Sequence, residues 1–427
     1  MAQILVIADD LTGAADCGVA CAGHGLHTVV VLGDVGDGVE TDVLSVDADT
    51  RHEQAEKAAR ETARLVHVYM HNEETLLYKK LDSTLRGNVG AELAAVLEAR
   101  RALSPTGKRI VAVLAPAFPA HGRTTLNGRQ LIHGRHLEEA EHNRHELTVA
   151  RSDISAMMHE AGLAPALLGL DLIRCGTGVL GHAMQTMAQD SDVLVCDAET
   201  GEDLREIADA SMALGRGTVW AGSAGLAYHL PAAAGLARTA ISLPEQALAT
   251  GPTLFVIGSG SSVSRKQVEV LASWSDVVLV KIAPDVLLSG EDSPDWKAHR
   301  EALERALDAG KDVAVLPSAA PRHDSAHGQQ LCAGLGKLVR PFADKVGSLV
   351  TTGGETTRTL FESWGVSKLR LMSEVETGLP FSVTVGWRRE LAVLTKAGGF
   401  GRPETLLNCR KFLQELDRRG AVDRGKS

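Results

Sequence analysis

The sequence lacks the features of an exported or membrane-spanning protein. Its N-terminal stretch has no basic segment and soon reaches the acidic pair Asp9 and Asp10, which a secretory signal peptide would not contain. No run of about 18 apolar residues, the length needed to cross a bilayer, is present. We therefore expect a cytoplasmic protein without a membrane partner.

Cysteine is too scarce for a disulfide scaffold, with six in 427 residues. Cys17 and Cys21 are four residues apart, but no second cysteine pair and no His/Cys cluster completes a zinc set. We interpret both as small core residues.

Basic residues are outnumbered by acidic ones, and the net charge of −10 argues against a nucleic-acid partner. It does not exclude local binding of an anion. A chain of 427 residues exceeds the size of one hydrophobic core, so two domains are expected. The sequence leaves open whether the protein is a homo-oligomer.

Short apolar segments alternate with helical segments through the first half of the chain. The helical segments lie near 52–68, 86–101 and 201–213. Such alternation is typical of βαβ units around a largely parallel sheet. The segments predicted as strands are ILVIA, HTVVVL, VLSVDA, LLYKKL, RIVAVLAP, ALLGLDLI, DVLVCDA and TVWAG.

A second alternation follows a stretch without clear period, residues 233–249, which is predicted to be a linker. Its predicted strands are TLFVIGS, DVVLVKI, DVAVLPS, SLVTTGG, LRLM, PFSVTV and LAVLTK. Its predicted helices lie near 264–273, 293–308, 328–343, 355–365 and 403–418. The expected fold class is α/β, with two α/β lobes, largely parallel sheets and an active-site cleft between the lobes. The predicted domains are 1–232 and 250–420.

Polar residues follow four of the predicted strands in the first half. In open α/β sheets, ligands bind beyond the carboxyl ends of the strands. Arg or Lys beside Asp suits a hydroxy acid, because the cation pairs with its carboxylate and Asp accepts hydroxyl protons. The four segments are 9–14 (DDLTGA), 47–51 (DADTR), 79–88 (KKLDSTLRGN) and 116–125 (PAFPAHGRTT).

Helix capping is the alternative role for some of these residues. Asp10 or Thr12 would cap one helix, and Asp82 or Ser83 would cap another. Capping does not explain the two adjacent carboxylates of Asp9 and Asp10. It also does not explain the cations around the turn that contains Asp82. We favour a functional site at both turns, whereas for Arg51 the two interpretations stay open.

Five histidines lie close together, at positions 121, 133, 136, 142 and 145. Their spacing matches no zinc module, so a solvated loop is predicted. His121 is the exception, because it follows the end of a predicted strand.

Three glycine turns follow predicted strands in the second half: 258–262 (GSGSS), 351–357 (TTGGETT) and 396–401 (KAGGFG). Backbone amides at a strand–turn–helix junction bind phosphate oxygens. Because the three turns carry hydroxyl groups and few carboxylates, a nucleotide is the ligand that they favour. Glu355 is a candidate for holding a magnesium-bound water or the ribose.

Two common nucleotide-binding motifs are incomplete in this segment of the sequence. Val263 stands where a dinucleotide fingerprint has its third glycine, and no acidic residue closes the second strand of this lobe. The Gly336–Lys337 pair does not complete a P-loop, because Leu338 follows it. The missing glycine and acidic residue count against an NAD-dependent oxidoreductase.

The motifs, taken together, resemble the four-carbon acid sugar kinase family. They occur in order from Asp9 to Gly401, and the stretch 136–190 and the linker match least. The resemblance implies a two-domain kinase that binds a sugar acid on its N-terminal lobe and ATP on its C-terminal lobe. The motifs are ADDLTGA, KKLDSTLRGN, APAFPAHGRTT, VIGSGS, TTGGETT, TGLPFSVTVG and TKAGGFG.

Carried over by position, the resemblance and the turns together indicate two groups of contacts and no assigned metal ligand. The substrate contacts are Asp9, Asp10, Arg51, Lys80, Leu81, Asp82, Ser83 and Arg86. The nucleotide contacts are Ser259, Gly353, Gly354, Glu355, Thr356, Gly398 and Gly399.

The choice of sugar acid depends on the segment before Asp82. Members that resemble 3-oxo-tetronate kinases tend to carry Phe there, whereas this chain has Lys80 and Leu81, with Arg86 following. This favours D-threonate over 3-oxo-tetronate, with D-erythronate as a further alternative.

The expected reaction is transfer of the γ-phosphate of ATP to the terminal hydroxyl, which gives a 4-phosphate. Arg51 and Lys80 would bind the substrate carboxylate, and Asp10 or Asp82 would be the catalytic base. Mg²⁺ and the glycine-turn amides would hold the phosphates, and domain closure would exclude water. The alternatives from other classes are the oxidoreductase and a two-lobed small-molecule binding protein.

Overall fold

The structure of the chain is a computed structural model. It describes residues 2–36, 39–104, 109–139, 151–239, 248–273, 276–318 and 325–424. The chain forms two compact units, Met1–Ile241 and Ser242–Ser427. Each is an α/β unit with a mostly parallel sheet, so the predicted fold class of two α/β lobes is confirmed.

The first unit contains a parallel sheet. Its strands are β1 (Ile4–Ala8), β2 (Thr28–Leu32), β3 (Val43–Asp47), β4 (Leu76–Lys80), β5 (Ala112–Ala115), β9 (Pro165–Leu168), β10 (Val193–Cys196) and β11 (Val219–Gly222). They are arranged in the order β2-β3-β1-β4-β11-β5-β10-β9, and each neighbouring pair is parallel. The strand order changes direction at β1, where ligands of such sheets bind.

Helices join these strands. They are α1 (Leu11–Gly23), α2 (Ala55–Tyr69), α3 (Val89–Ala102), α4 (Ile154–Glu160), α5 (Leu170–Ile173), α6 (Thr177–Met187), α7 (Gly201–Ser211), α8 (Ala224–Ala227) and α9 (Leu230–Ala233). All five residues of β1 are buried, as expected for a strand with both faces covered. Leu5 and Ile7 belong to the main core of this unit.

A small antiparallel sheet interrupts this pattern: β6 (Arg123–Leu126), β7 (Arg129–Ile132) and β8 (Arg135–His136). The predicted solvated loop is therefore wrong for the described part of the histidine stretch, and residues 142 and 145 lie outside the described residues. Asn127 and Gly128 both have positive φ angles, 51° and 68°, as a two-residue hairpin turn requires. The strands are short and rich in polar residues, so they show no apolar alternation.

The second unit contains a further set of mostly parallel strands. The strands are β12 (Thr253–Ile257), β13 (Val277–Ile282), β14 (Asp312–Pro317), β15 (Ser348–Thr352), β16 (Lys368–Glu376), β17 (Leu379–Thr384) and β18 (Ala392–Lys396). Their order is β13-β14-β12-β15-β18-β17-β16, and β17 runs antiparallel to both neighbours. The helices are α10 (Ser262–Ala272), α11 (Pro284–Ser289), α12 (Pro294–Asp308), α13 (Ser325–Val339), α14 (Gly354–Trp364) and α15 (Thr405–Arg424).

Two further predictions, the burial of Cys17 and Cys21 and the position of the linker, can be compared with the structure. Cys17 and Cys21 are buried and free, so their assignment to the core is confirmed. The predicted linker begins at the last residue of α9, and its residues 240–247 lie outside the described residues. Within the described ranges, no helix combines the length and the apolar character needed to cross a membrane.

Candidate functional site

The charged residues of the first unit meet at one edge of the sheet. Strand β1 lies between β3 and β4, with Ala8 paired to Asp47 on one side and to Lys80 on the other. The loops that follow the three strands therefore start side by side, because parallel strands end at the same edge. Their side chains form a cluster, called here the charged cluster, of Asp9, Asp10, Arg51, Lys80, Asp82 and Arg86.

Arg51 lies at the centre of this cluster and binds two carboxylates. Its Nε and Nη2 donate to Asp9 at 2.7 and 2.9 Å. Its Nη1 and Nη2 donate to Asp10 at 2.5 and 2.8 Å. Both pairs have the forked geometry that makes Arg–carboxylate contacts strong. The sequence assigned Arg51 to the substrate carboxylate, but here its donors are directed at Asp9 and Asp10, which indicates that it holds these side chains in place.

The pairing keeps the Asp9 carboxylate ionised despite its burial. Burial alone would raise the pKa of Asp9, but the positive charges of Arg51 and Lys80 outweigh it and lower the pKa below its usual value. Burial would lower the pKa of the Arg51 guanidinium, and Asp10 and Asp9 raise it well above its usual value. Asp9 and Arg51 are therefore both charged at neutral pH.

Lys80 brings a buried ammonium to the start of α1. Its Nζ lies 2.6 Å from the position that a Cβ on Gly13 would occupy, so a larger residue at position 13 would displace this ammonium. Burial lowers the pKa of Lys80, but Asp9 and Asp10 outweigh that effect and raise it. The result is a protonated lysine beside the N-terminus of a helix, two features that attract an anion.

Asp82 is held by the guanidinium of Arg86, with Nε to Oδ2 at 2.7 Å and Nη2 to Oδ1 at 3.0 Å. Thr84 donates its hydroxyl to the same carboxylate. Burial would raise the pKa of Asp82, but Arg86 and Arg51 lower it well below its usual value. Arg51 Nη2 is 4.0 Å from Asp82 Oδ1, which joins this turn to the rest of the charged cluster.

The structure decides between the capping alternatives. Asp10 is the N-cap of α1 and accepts the amide of Gly13 at 2.8 Å, so Thr12 is not the cap. At α3 the N-cap position is Asn88, and neither Asp82 nor its neighbour Ser83 caps that helix. Asp10 therefore has two roles, as a cap and as a partner of Arg51.

Two predicted substrate residues are placed differently from the rest. The side chain of Leu81 packs in the hydrophobic core, and its amide donates to Gly222 O at 2.8 Å. Ser83 is buried, and its carbonyl accepts the side-chain amide of Gln130 at 2.8 Å. Gln130 belongs to β7, so it attaches the small sheet to the Asp82 turn. Sequence reasoning missed it, since a lone glutamine in a polar stretch carries no signal.

A second buried ion pair lies next to the charged cluster. Lys79 Nζ is 2.5 Å from Glu92 Oε2, and neither side chain is more than 1% exposed. Burial raises the pKa of Glu92, with Lys79 opposing. Sequence reasoning treated Lys79 only as part of the motif, because Glu92 lies in the middle of a predicted helix.

In the second unit, the three glycine turns lie side by side. Strand β15 is between β12 and β18, with Thr352 paired to Ile257 and to Lys396. A Cβ on Gly258 would be only 1.9 Å from Thr356 Oγ1, so the first two turns approach as closely as a glycine allows. Gly353 N donates to Lys396 O at 2.8 Å, which joins the second turn to the third.

The first and third turns are joined directly by Ser261, whose hydroxyl donates to Gly398 O at 2.6 Å. The structure therefore brings the predicted nucleotide contacts into one group of turns. They are Ser259, Gly353, Gly354, Glu355, Thr356, Gly398 and Gly399.

Two helix N-termini open at these turns. Helix α14 begins at Gly354, and Gly353 offers no side chain to cap it. Helix α10 begins at Ser262, and the side chain of Ser261 accepts the amide of Ser264. The first amides of a helix have no partner within it and carry the positive end of the helix dipole. Helix N-termini of this kind are common binding sites for phosphate groups in proteins.

No ready-made metal centre accompanies these turns. Among the residues that the structure describes, no three His, Cys, Asp or Glu side chains converge as they would around a metal ion. Glu355, the predicted magnesium candidate, is the acidic residue in the first turn of α14.

The final residues, 420–427, match the letters of a P-loop, a match that sequence reasoning overlooked. Residues 420–424 belong to α15, so no strand leads into the segment as a P-loop requires. Residues 425–427 lie outside the described residues.

Comparison with known families agrees with this division of chemistry. Residues 4–230 match the family model for a sugar-binding N-terminal domain. Residues 254–406 match the model for a nucleotide-binding C-terminal domain. The two matches define a class of two-domain protein that combines a sugar site with a nucleotide site.

The family follows from full-length relatives. The chain is 36% identical to a D-threonate kinase of Cupriavidus necator, covering 96% of this chain and 98% of that one. It is 30% identical to a D-threonate kinase of Salmonella typhimurium, covering 97% and 99%. Other relatives are named D-erythronate and 3-oxo-tetronate kinases. The chain belongs to the four-carbon acid sugar kinase family, and the prediction of a sugar-acid kinase is confirmed at that level.

A solved structure supports the fold independently. A Haemophilus influenzae protein superposes with a TM-score of 0.70 at 21% identity, covering 95% of this chain and 99% of that one. At that identity the likeness concerns the fold alone.

Proposed function

We propose that the protein is an ATP-dependent kinase that phosphorylates the 4-hydroxyl of D-threonate. The observation that carries the proposal is the charged cluster, in which a buried, protonated Lys80 lies beside the ionised Asp9 and beside Asp10. A hydroxy acid needs this combination, because its carboxylate requires a cation and its hydroxyls require acceptors. The relatives named D-threonate kinases support the choice of sugar acid.

Lys80 is proposed to bind the substrate carboxylate, with Arg51 fixing the two aspartates around it. Asp10 is the first candidate for the base, because its side chain is 19% exposed whereas that of Asp82 is 10% exposed. Both carboxylates are held in position by guanidinium groups, as a base that must orient a hydroxyl should be. Asp82 with Arg86 is the second candidate.

ATP is proposed to bind at the three glycine turns of the second unit. In phosphoryl transfer the protein mainly positions the reactants and stabilises charge, which backbone amides at helix N-termini do. Mg²⁺ would accompany the ATP phosphates and neutralise their charge. It commonly keeps several waters and few protein ligands, so the single carboxylate of Glu355 suits it.

The proposal includes the domain division and the location. Residues 1–232 would form the sugar-acid domain and 250–420 the nucleotide domain, a division that the matched ranges 4–230 and 254–406 support. Dependence on ATP favours action in the cytoplasm.

The test is an assay of the purified chain with D-threonate, D-erythronate and 3-oxo-tetronate, in which formation of ADP and reduction of NAD are followed in parallel. We expect ADP formation that depends on the sugar acid, and no reduction of NAD. If none of the three acids supports the formation of ADP, the kinase proposal is overturned.

The same assay decides the substrate. D-threonate should have the highest kcat/KM of the three acids. A kcat/KM that is tenfold or more higher for 3-oxo-tetronate would reverse the choice, while leaving the kinase activity in place.

A further inference from the structure

Lys396, the last residue of β18, directs its side chain into the turn that follows its own strand. The side chain is buried, with 1% of the residue exposed. Its Nζ donates to the carbonyls of Ala397, Gly398 and Phe400 at 2.8, 3.3 and 3.0 Å. All three hydrogens of the ammonium thus have backbone acceptors within one turn.

Side chains of α10 bind the same carbonyls. Ser264 Oγ donates to Gly398 O at 2.9 Å, beside the bond from Ser261. Gln267 Nε2 donates to Phe400 O at 3.0 Å. The carbonyls of this turn are therefore drawn to one side, toward Lys396 and α10.

Three amides of the turn must then point to the other side, whereas that of Phe400 donates within the turn to Ala397 O at 3.1 Å. In a trans peptide, the C=O of one residue and the N–H of the next are antiparallel. The amides of Gly398, Gly399 and Gly401 follow the three carbonyls that Lys396 binds, so they are directed away from its Nζ. Several neighbouring amides on one side of a turn form an anion-binding concavity.

We propose that Lys396 is a positioning residue for the nucleotide phosphates: it turns the amides of Gly398, Gly399 and Gly401 toward them and places a positive charge behind the turn. The proposal rests on the function proposed above, because it assumes that ATP binds in the second unit. Lys396 also accepts the amide of Gly353 on its carbonyl, so one residue fixes two of the three glycine turns.

The positioning should depend on pH. Burial lowers the pKa of Lys396 to about 8, with Cys409 and Glu376 opposing. Burial raises the pKa of Cys409, on α15, to about 12, so this thiol stays neutral. Glu376, on β16, accepts from Thr405 and Asn408 at 2.6 Å each. Loss of the Lys396 proton removes one donor and the charge, so ATP affinity should fall as the pH rises through about 8.

The test is calorimetric titration of ATP into the full chain without sugar acid, with wild type, Lys396→Met and a matched control. Arg389→Met is the control, because Arg389 also donates to backbone carbonyls of the second unit, those of Ala343 and Val346, but not to the glycine turns. Lys396→Met should weaken ATP binding by about tenfold or more. Arg389→Met should leave ATP affinity unchanged, and D-threonate should bind all three proteins alike.

The pH profile gives a second readout. From about pH 7 to about pH 9 the ATP affinity of the wild type should fall, while that of Lys396→Met should stay level. A folded Lys396→Met protein that binds ATP like the wild type overturns the inference and leaves the proposed function standing. A wild type that does not bind ATP overturns the proposed function itself.

A milder variant covers the case in which Lys396→Met does not fold. Ser264→Ala removes one donor to Gly398 O with little change in volume, and it should weaken ATP binding by about threefold or more. If Ser264→Ala binds ATP like the wild type and wild-type affinity is level between about pH 7 and about pH 9, the inference is wrong.

Discussion

Arg51 shows how one buried cation can organise a site. Its guanidinium holds Asp9 and Asp10, and each of the three side chains is less than one-fifth exposed. Removing one partner of a buried pair leaves an uncompensated charge, which costs far more than losing a pair at the surface. The effect on stability should therefore depend on burial more than on the number of hydrogen bonds.

Arg51→Met should lower the free energy of unfolding by about 3–5 kcal/mol, because both aspartates lose their main partner. Arg64 is a matched control, since it also binds two carboxylates, Asp34 and Glu61, but at the exposed surface. Arg64→Met should cost less than about 1 kcal/mol. Urea unfolding of both variants measures the difference, and equal losses would contradict the account.

Asp10 combines capping of α1 with a proposed catalytic role, and the substitution Asp10→Asn distinguishes the two roles. Asn caps a helix about as well as Asp, so Asp10→Asn should stay folded. It loses the charge and the proton acceptor, which should lower kcat by about 10²–10⁴. Asp153 caps α4 in the same way, and Asp153→Asn should keep full activity. If Asp10→Asn turns over at the wild-type rate, Asp82 becomes the candidate base.

The low pKa of Asp82 predicts how the stability of the protein changes at acid pH. Its pKa is well below the usual value, so its ion pairs stabilise the fold fully above about pH 3.9, the unfolded value, and lose that effect as the pH falls toward the folded pKa. Asp82→Asn should therefore be less stable than wild type at neutral pH. The difference should shrink as the pH falls below about 3.9. Urea unfolding at several pH values measures it, and a difference independent of pH would contradict the charged state assigned to Asp82.

At the scale of elements, the three glycine turns depend on close contact between neighbouring loops. Gly258→Ala would place a Cβ 1.9 Å from Thr356 Oγ1, so the Thr356 side chain or one of the two turns has to move. ATP affinity should fall by about tenfold or more, because the loss of preorganised donors weakens phosphate binding. Gly328→Ala, in α13, is the control, since its Cβ would meet no atom within 4 Å. Similar ATP affinities for the two variants would contradict the packing described here.

The sequence was sufficient for the elements that carry a strong pattern. Buried strands such as β1 and β12 are short apolar runs, and the polar and glycine turns that follow them indicated both candidate sites. The small sheet of β6–β8 was missed because its strands have four residues or fewer and carry polar side chains. Helix α11, with six residues, is too short to show a period.

The sequence alone does not predict which partner each charged residue binds. Arg51 is separated from Asp9 by 42 residues, and only the parallel pairing of β1 with β3 brings them together. The motif placed Arg51 near a substrate carboxylate, whereas the geometry shows it holding two carboxylates of the protein. Gln130 and Lys396 likewise became visible only through their contacts.

The whole molecule divides its chemistry between two units. The charged cluster, with its cations and carboxylates, lies in the first unit, and the three glycine turns lie in the second. A kinase of sugar acids needs both, since one reactant is a hydroxy acid and the other a polyphosphate. This division agrees with the sugar-binding and nucleotide-binding family models.

The most direct test of the central claim is to identify the product. The protein would be incubated with ATP, Mg²⁺ and D-threonate, and the phosphorus spectrum of the product recorded with proton coupling. Phosphate on the terminal carbon is coupled to two protons and gives a triplet, whereas phosphate on a secondary hydroxyl gives a doublet. We predict the triplet of the 4-phosphate, in an amount equal to the ADP formed. A doublet, or ADP accompanied only by inorganic phosphate, would contradict the account.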